Sequence, residues 1–104
     1  MEKNNYIFPF DCITKNSNIV LYGAGFVGKI YYRQITKLNY CNIVVWVDKN
    51  AENLSKHYKV SLITEIRNVE FDYIVIAIAD KTVCEKIEDE LMAVYGLQKE
   101  RIVY

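Results

Sequence analysis

The chain of 104 residues has one proline, one histidine and three cysteines, and it carries no excess of either charge. Thirteen Lys and Arg against thirteen Asp and Glu, with no long run of one sign, leave no electrostatic footprint for nucleic acid or an anionic membrane. The longest apolar runs, "IVVWV" at Ile43 to Val47 and "YIVIAIA" at Tyr73 to Ala79, are far too short to cross a bilayer as helices. Cys12, Cys41 and Cys84 are widely spaced with no Cys-x-x-Cys, and His57 stands alone, which is poor material for a zinc site or a disulfide framework. The expectation is no metal, and reduced thiols acting as small apolar side chains. The amino end, "MEKNNYIFPFD", has neither the basic flank nor the apolar stretch of a signal peptide. A cytoplasmic protein that meets a compact ligand or another protein is the class left standing.

What is present is one domain's worth of apolar sequence, 52% of the chain. Residues 1–17 include Tyr6, Ile7, Phe8 and Phe10 around the only proline, Pro9, and are too apolar for a free linker. They are expected to pack on the domain edge or against a neighbouring domain or subunit. From Asn18 the pattern is regular. "NIVLY" reads as a strand ending at Gly23. Val27, Ile30, Tyr31, Ile35 and Leu38 then recur at helical steps up to about Asn39, and "NIVVWVD", Asn42 to Asp48, reads as a second buried strand.

Between Lys49 and Glu70 the pattern is weak. It gives a loop or helical turn near Ala51 to Ser55, a brief strand around Lys59 to Ser61 and a helical turn over Thr64 to Asn68. "DYIVIAIA" is nearly continuous in its apolar character, as a strand of a parallel sheet covered on both faces must be. Thr82 and Glu85 have capping-box spacing, with Asp80 as a competing cap, and Val83, Ile87, Leu91, Val94 and Tyr95 form the inward stripe of a helix that Gly96 can end. "RIVY" closes the chain as another strand. Residues 18–104 therefore read as an α/β, Rossmann-like three-layer domain with a mainly parallel sheet.

The stretch "IVLYGAGFVGKI" fits two phosphate-binding patterns. As Gly-x-x-x-x-Gly-Lys it lacks the hydroxyl residue that must follow the lysine to ligate magnesium, because Ile30 stands there. As Gly-x-Gly-x-x-Gly it has a strand before it, a helix after it, a second strand, and Asp48 twenty residues past Gly28. On that reading Gly23 makes the turn, Gly25 lets a pyrophosphate approach the backbone and Gly28 lets helix and strand pack closely. Phe26 and Val27 begin a helix whose unpaired N–H groups face the phosphates, and Asp48 accepts ribose hydroxyls. Ala79 and Asp80, past the third strand, share that edge of the sheet.

Each of these has a plainer alternative. The glycines serve a turn and close packing in a fold that binds nothing, Asp48 is a turn residue in "DKN", Asp80 is a helix cap, and Lys29 is a solvated side chain. His57 has no acid or cysteine at a telling spacing, and the nine tyrosines read as packing and interface residues.

"IVLYGAGFVGKIYYRQI", "VVWVDKN" and "FDYIVIAIAD" together resemble the Rossmann-like domains of bacterial surface-polysaccharide enzymes. Such domains stand at the amino end of nucleotide-sugar dehydratases and epimerases, ahead of sugar acetyltransferases, or attached to glycosyltransferases and methyltransferases. The resemblance runs from about Asn18 to Tyr104. It implies binding of NAD, NADP or a nucleoside-diphosphate sugar such as a UDP-sugar at Gly23, Gly25, Phe26, Val27, Gly28 and Asp48, near Ala77 to Asp80. It also implies that catalysis needs an adjoining domain or second subunit, since no catalytic acid, base or nucleophile pair is visible. The expectation is a nucleotide-binding module of a sugar-modifying enzyme in cell-envelope polysaccharide synthesis, not catalytic by itself and possible as a homodimer. Its rival is a structural or assembly domain that binds no nucleotide.

Overall fold

The computed structural model describes residues 6–51 and 58–104. Among the described residues the helices and strands follow in the order β1 (Asn18–Tyr22), α1 (Phe26–Leu38), β2 (Asn42–Val47), β3 (Tyr73–Ile76), α2 (Lys81–Tyr95) and β4 (Ile102–Val103). Short 3-10 turns cover Phe10–Cys12, Ile63–Asn68 and Lys99–Arg101. The strands form one all-parallel sheet in the order β2-β1-β3-β4.

Side-chain alternation along the strands builds a core on each face. Ile19, Leu21, Trp46 and Val75 point to one face and meet Val27 and Ile35 of α1. Val20, Tyr22, Val47, Ile74 and Ile76 point to the other and meet Cys84, Ile87 and Leu91 of α2. Helix, sheet, helix is the three-layer α/β architecture expected from the near-continuous apolar strands.

The strand expected at Lys59 to Ser61 is reduced to a single parallel bridge, Ser61 to Val47, on the outer side of β2. The Ser61 N–H donates to the Trp46 carbonyl at 2.8 Å and the Asp48 N–H donates to the Ser61 carbonyl at 3.0 Å. Counting that bridge as a strand, the order becomes 3-2-1-4-5, the leading part of the doubly wound order of dinucleotide-binding folds. Ile63–Asn68 forms the helical turn expected over Thr64 to Asn68. Of the turn expected near Ala51 to Ser55, Ala51 is helical and the remainder lies outside the described residues, as does His57.

Asp80 caps α2: one carboxylate oxygen accepts from the Thr82 N–H at 2.9 Å and the Val83 N–H at 3.4 Å. The helix thus starts at Lys81, ahead of a Thr82 capping box. Asn39 and Gly96 end the two helices in left-handed conformation, at φ 50° and 69°.

The helical stripes are narrower than their sequence spacing implies. Leu38, Val83 and Val94 are exposed, and the buried face of α2 is Cys84, Ile87, Glu88 and Leu91. Leu38 is the last residue of α1, where the chain turns away towards β2 and leaves nothing to cover it. The amino-terminal segment packs on its own domain. Phe8 and Ile13 join the α1-side core, and the Tyr40 hydroxyl donates to the Phe10 and Ile13 carbonyls at 3.2 and 2.8 Å.

These placements separate two residues that share one helical stripe in the sequence. Ile35→Ala should cost about 2–5 kcal/mol, as for a fully buried aliphatic side chain, while Leu38→Ala should change stability by no more than about 0.5 kcal/mol. Urea unfolding of the two variants measures both.

Candidate functional site

β1 runs out into the glycine stretch, and each glycine there has its own steric setting. Gly23 has φ +109°, and a Cβ on it would come within 2.9 Å of the Ala77 carbonyl oxygen. A Cβ on Gly28 would lie 2.0 Å from the Gly23 carbonyl oxygen, so helix and loop touch backbone to backbone. Gly25, the N-cap of α1, has φ −86°, and a Cβ there would meet nothing within 4 Å.

The end of β2 holds this loop through three consecutive residues. The Trp46 indole N–H donates to the Gly23 carbonyl at 2.7 Å, the Val47 carbonyl accepts from the Gly23 N–H at 2.8 Å, and Asp48 Oδ2 accepts from the Ala24 N–H at 2.7 Å. The other oxygen of Asp48 accepts from the Asn50 N–H at 2.8 Å, the local turn bond that "DKN" suggests. A carboxylate oxygen has two lone-pair sites, so each can still take a hydroxyl donor.

Trp46 reaches the loop because β2 carries a bulge. Ile19 pairs with Ile43 but Val20 pairs with Val45, so Val44 is an extra residue, and Val44 and Val45 both pack towards the α2-side core. The slip of one residue puts Trp46 on the α1 side, beneath the glycines.

Connections from β1 and β3 leave on opposite sides of the sheet, and the carboxyl ends of these neighbours frame the crevice where ligands bind in open α/β sheets. A cavity of about 340 Å³ lies there, lined by Tyr6, Gly23, Gly25, Phe26, Val27, Asp48 and the chain from Ala77 to Ala79. The structure brings together all the residues singled out in the sequence except two. Gly28 lies beneath the loop, and Asp80 is turned to its capping role. Lys29 points away, its ammonium 6.0 Å from the Tyr58 ring centroid. Tyr6 was missed, as its approach depends on long-range packing that no local spacing reports. A larger groove of about 500 Å³ runs along the outer edge of β2, with Lys59 and Glu65 as its charged residues. It lies away from the carboxyl ends of the central strands, so the smaller crevice is the candidate.

Burial favours the neutral forms of one phenol and two thiols of the domain. Burial, with the charges of Glu90 and Asp48, pushes the Tyr22 phenol up to about 12. Burial pushes the Cys41 thiol up to about 11 and also raises Cys84, whose Sγ lies 3.2 Å from the Ile78 carbonyl. Such thiols are poor nucleophiles at neutral pH. Cys41 and Cys84 are buried as expected of small apolar side chains, but Cys12 is exposed. Tyr95 and Lys99 stand at the Tyr-x-x-x-Lys spacing of a proton-transfer dyad. Left-handed Gly96 breaks the helix between them, at the end of α2 remote from the crevice. Among the described residues no three His, Cys, Asp or Glu side chains are grouped to hold a metal, and no helix is long and apolar enough to cross a membrane.

Both oxygens of Asp48 accept from backbone N–H groups, so an asparagine there must turn its NH₂ against one of them. Asp48→Asn should therefore lose about 1–2 kcal/mol of stability without any ligand present. In a domain of this size each kcal/mol lowers the melting temperature by roughly 4–8 °C. Thermal melts of parent and variant check this, and an unchanged Tm would mean that the carboxylate does not hold the loop.

The resemblance to polysaccharide-enzyme domains rested on glycines and apolar strands that the turn at Gly23 and the contact at Gly28 require of the fold itself. Comparison with curated proteins finds no match. A family model described as "C2185-like, N-terminal" matches residues 15–103, and nothing in that match indicates a nucleotide-binding domain of a sugar-modifying enzyme. That assignment is overturned: the chain belongs to the C2185-like N-terminal family.

Proposed function

We propose that the chain is a nucleotide-binding module, taking a phosphate at the amino end of α1 and a ribose at Asp48. The observation that carries this reading is Gly25. Packing accounts for glycine at 23 and at 28, but a Cβ at 25 would meet nothing within 4 Å. Glycine there leaves the backbone bare at the mouth of the crevice, where the first N–H groups of α1 lack helical partners and offer a partial positive charge. Asp48, at the edge of the same crevice, would pair with a ribose diol and repel a 2′-phosphate, which favours NAD over NADP. A cytoplasmic setting agrees with three unpaired thiols. The description of the family model as N-terminal agrees with a module that works beside another domain, which would bring the catalytic groups.

A second reading is a structural domain that binds no nucleotide. It draws on the bonds of Asp48 to Ala24 and Asn50, which give this acid a purpose without a ligand.

Calorimetry with NAD and NADP separates the two. The parent chain should bind NAD more tightly than NADP. Gly25→Ala should stay folded, losing about 0.5–2 kcal/mol of stability as alanine at an N-cap does, while weakening NAD by about ten-fold or more. A folded Gly25→Ala that binds NAD as the parent does would remove the phosphate site, and no binding of either dinucleotide by the parent would leave the structural reading.

A further inference from the structure

The crevice has a wall that the glycine pattern does not supply. Tyr6 reaches it from the amino-terminal segment, whose first described residues the Gln34 side-chain amide holds to α1. Gln34 of α1 accepts from the Phe8 N–H through Oε1 at 2.7 Å and donates through Nε2 to the Tyr6 carbonyl at 2.9 Å. It thus bonds the segment on both sides of Ile7, as a neighbouring strand would. Phe8, 1% exposed, anchors the stretch with edge-to-face contacts to Phe10 and Tyr31. Tyr6 and Phe26 then form a T-shaped pair, with ring centroids 6.0 Å apart at 83°.

Phe26 is the first residue of α1 and is 65% exposed. It belongs to neither apolar core, so the fold does not account for an aromatic there. It lines the crevice beside the bare backbone of Gly25, together with Ala77, Ile78 and Ala79. Among the described residues Asp48 is the one carboxylate in that lining, and no Lys, Arg or His belongs to it. Among the described residues a ligand held mainly by phosphate charge would find backbone N–H groups, whereas a flat ring would find an aromatic side chain beside apolar ones. At about 340 Å³ the cavity is near the lower end of the roughly 300–1,000 Å³ of small-molecule sites, enough for one nucleoside part of a larger ligand.

We propose that Phe26, steadied by Tyr6, is the stacking seat for the heteroaromatic ring of the bound nucleotide. This rests on the nucleotide reading above. Phenylalanine has a π-face and no hydrogen-bond code, so the seat selects for a planar ring without selecting among rings. Stacking of a base on an aromatic side chain is worth enough that its removal weakens binding by about five-fold to a hundred-fold.

The test measures NAD and inorganic pyrophosphate binding to the full chain by calorimetry for the parent, Phe26→Ala, Phe26→Leu and Phe26→Trp, with a thermal melt of each as a folding control. Phe26→Ala and Phe26→Leu should each weaken NAD by about ten-fold, leave pyrophosphate within two-fold of the parent, and melt with it. Phe26→Trp should keep NAD affinity. The seat is overturned if the parent binds NAD and Phe26→Ala binds it equally well, if the leucine variant retains full affinity, or if NAD and pyrophosphate weaken together. Failure of the parent to bind NAD at all would instead bring down the nucleotide reading, and the seat with it.

Discussion

The carbonyl of Gly23 is met from two sides. The Trp46 indole N–H bonds to it, and Gly28 of α1 packs against it with no room for a side chain. Strand, loop and helix are joined at that one oxygen. The neighbouring bonds from Val47 and Asp48 extend the join into a short seam between the ends of β1 and β2. A buried carbonyl left without its donor would be costly, so this geometry restrains Trp46 as much as Trp46 restrains the loop. The crevice above inherits its shape: Gly25 is placed by a loop fixed from below, and Asp48 has its carboxylate turned inwards.

The parts of this arrangement that were legible in the sequence are those with local causes. The strands β1, β2 and β3 show as apolar runs, α1 and α2 as apolar residues at helical steps, and the turn at Gly23 as a glycine at the end of a strand. The parts that were not legible depend on distant contacts. The bulge at Val44 arises from pairing between β1 and β2, and the run "IVVWV" looks the same with or without it. Ser61 looks like part of a strand, but β2 pairs with it only at Val47. Leu38, Val83 and Val94 satisfy the helical spacing and still find no partner surface. At the site, the glycines and Asp48 could be read from their spacing, whereas Tyr6 and the Gln34 amide that holds it could not.

The same limit explains the mistaken family resemblance. Gly23 and Gly28 are demanded by backbone contact within this chain, so they report how the domain packs before they report what it binds. Asp48 is similarly divided, since its bonds to the loop would serve a domain with an empty crevice. Gly25 and Phe26 are the residues whose placement the core leaves unexplained, and they point beyond packing for that reason.

The bulged strand has one more effect, on what can be seen of the molecule in solution. Trp46 is the only tryptophan in the chain, 4% exposed, stacked on Tyr32 with ring centroids 4.9 Å apart and bonded through its indole nitrogen to the loop that borders the crevice. The sole indole chromophore is thereby wired to the segment of greatest functional interest. Any rearrangement of Gly23 alters the hydrogen bond and the stacking that set its emission, so the unlabelled protein carries a built-in optical gauge of its own loop.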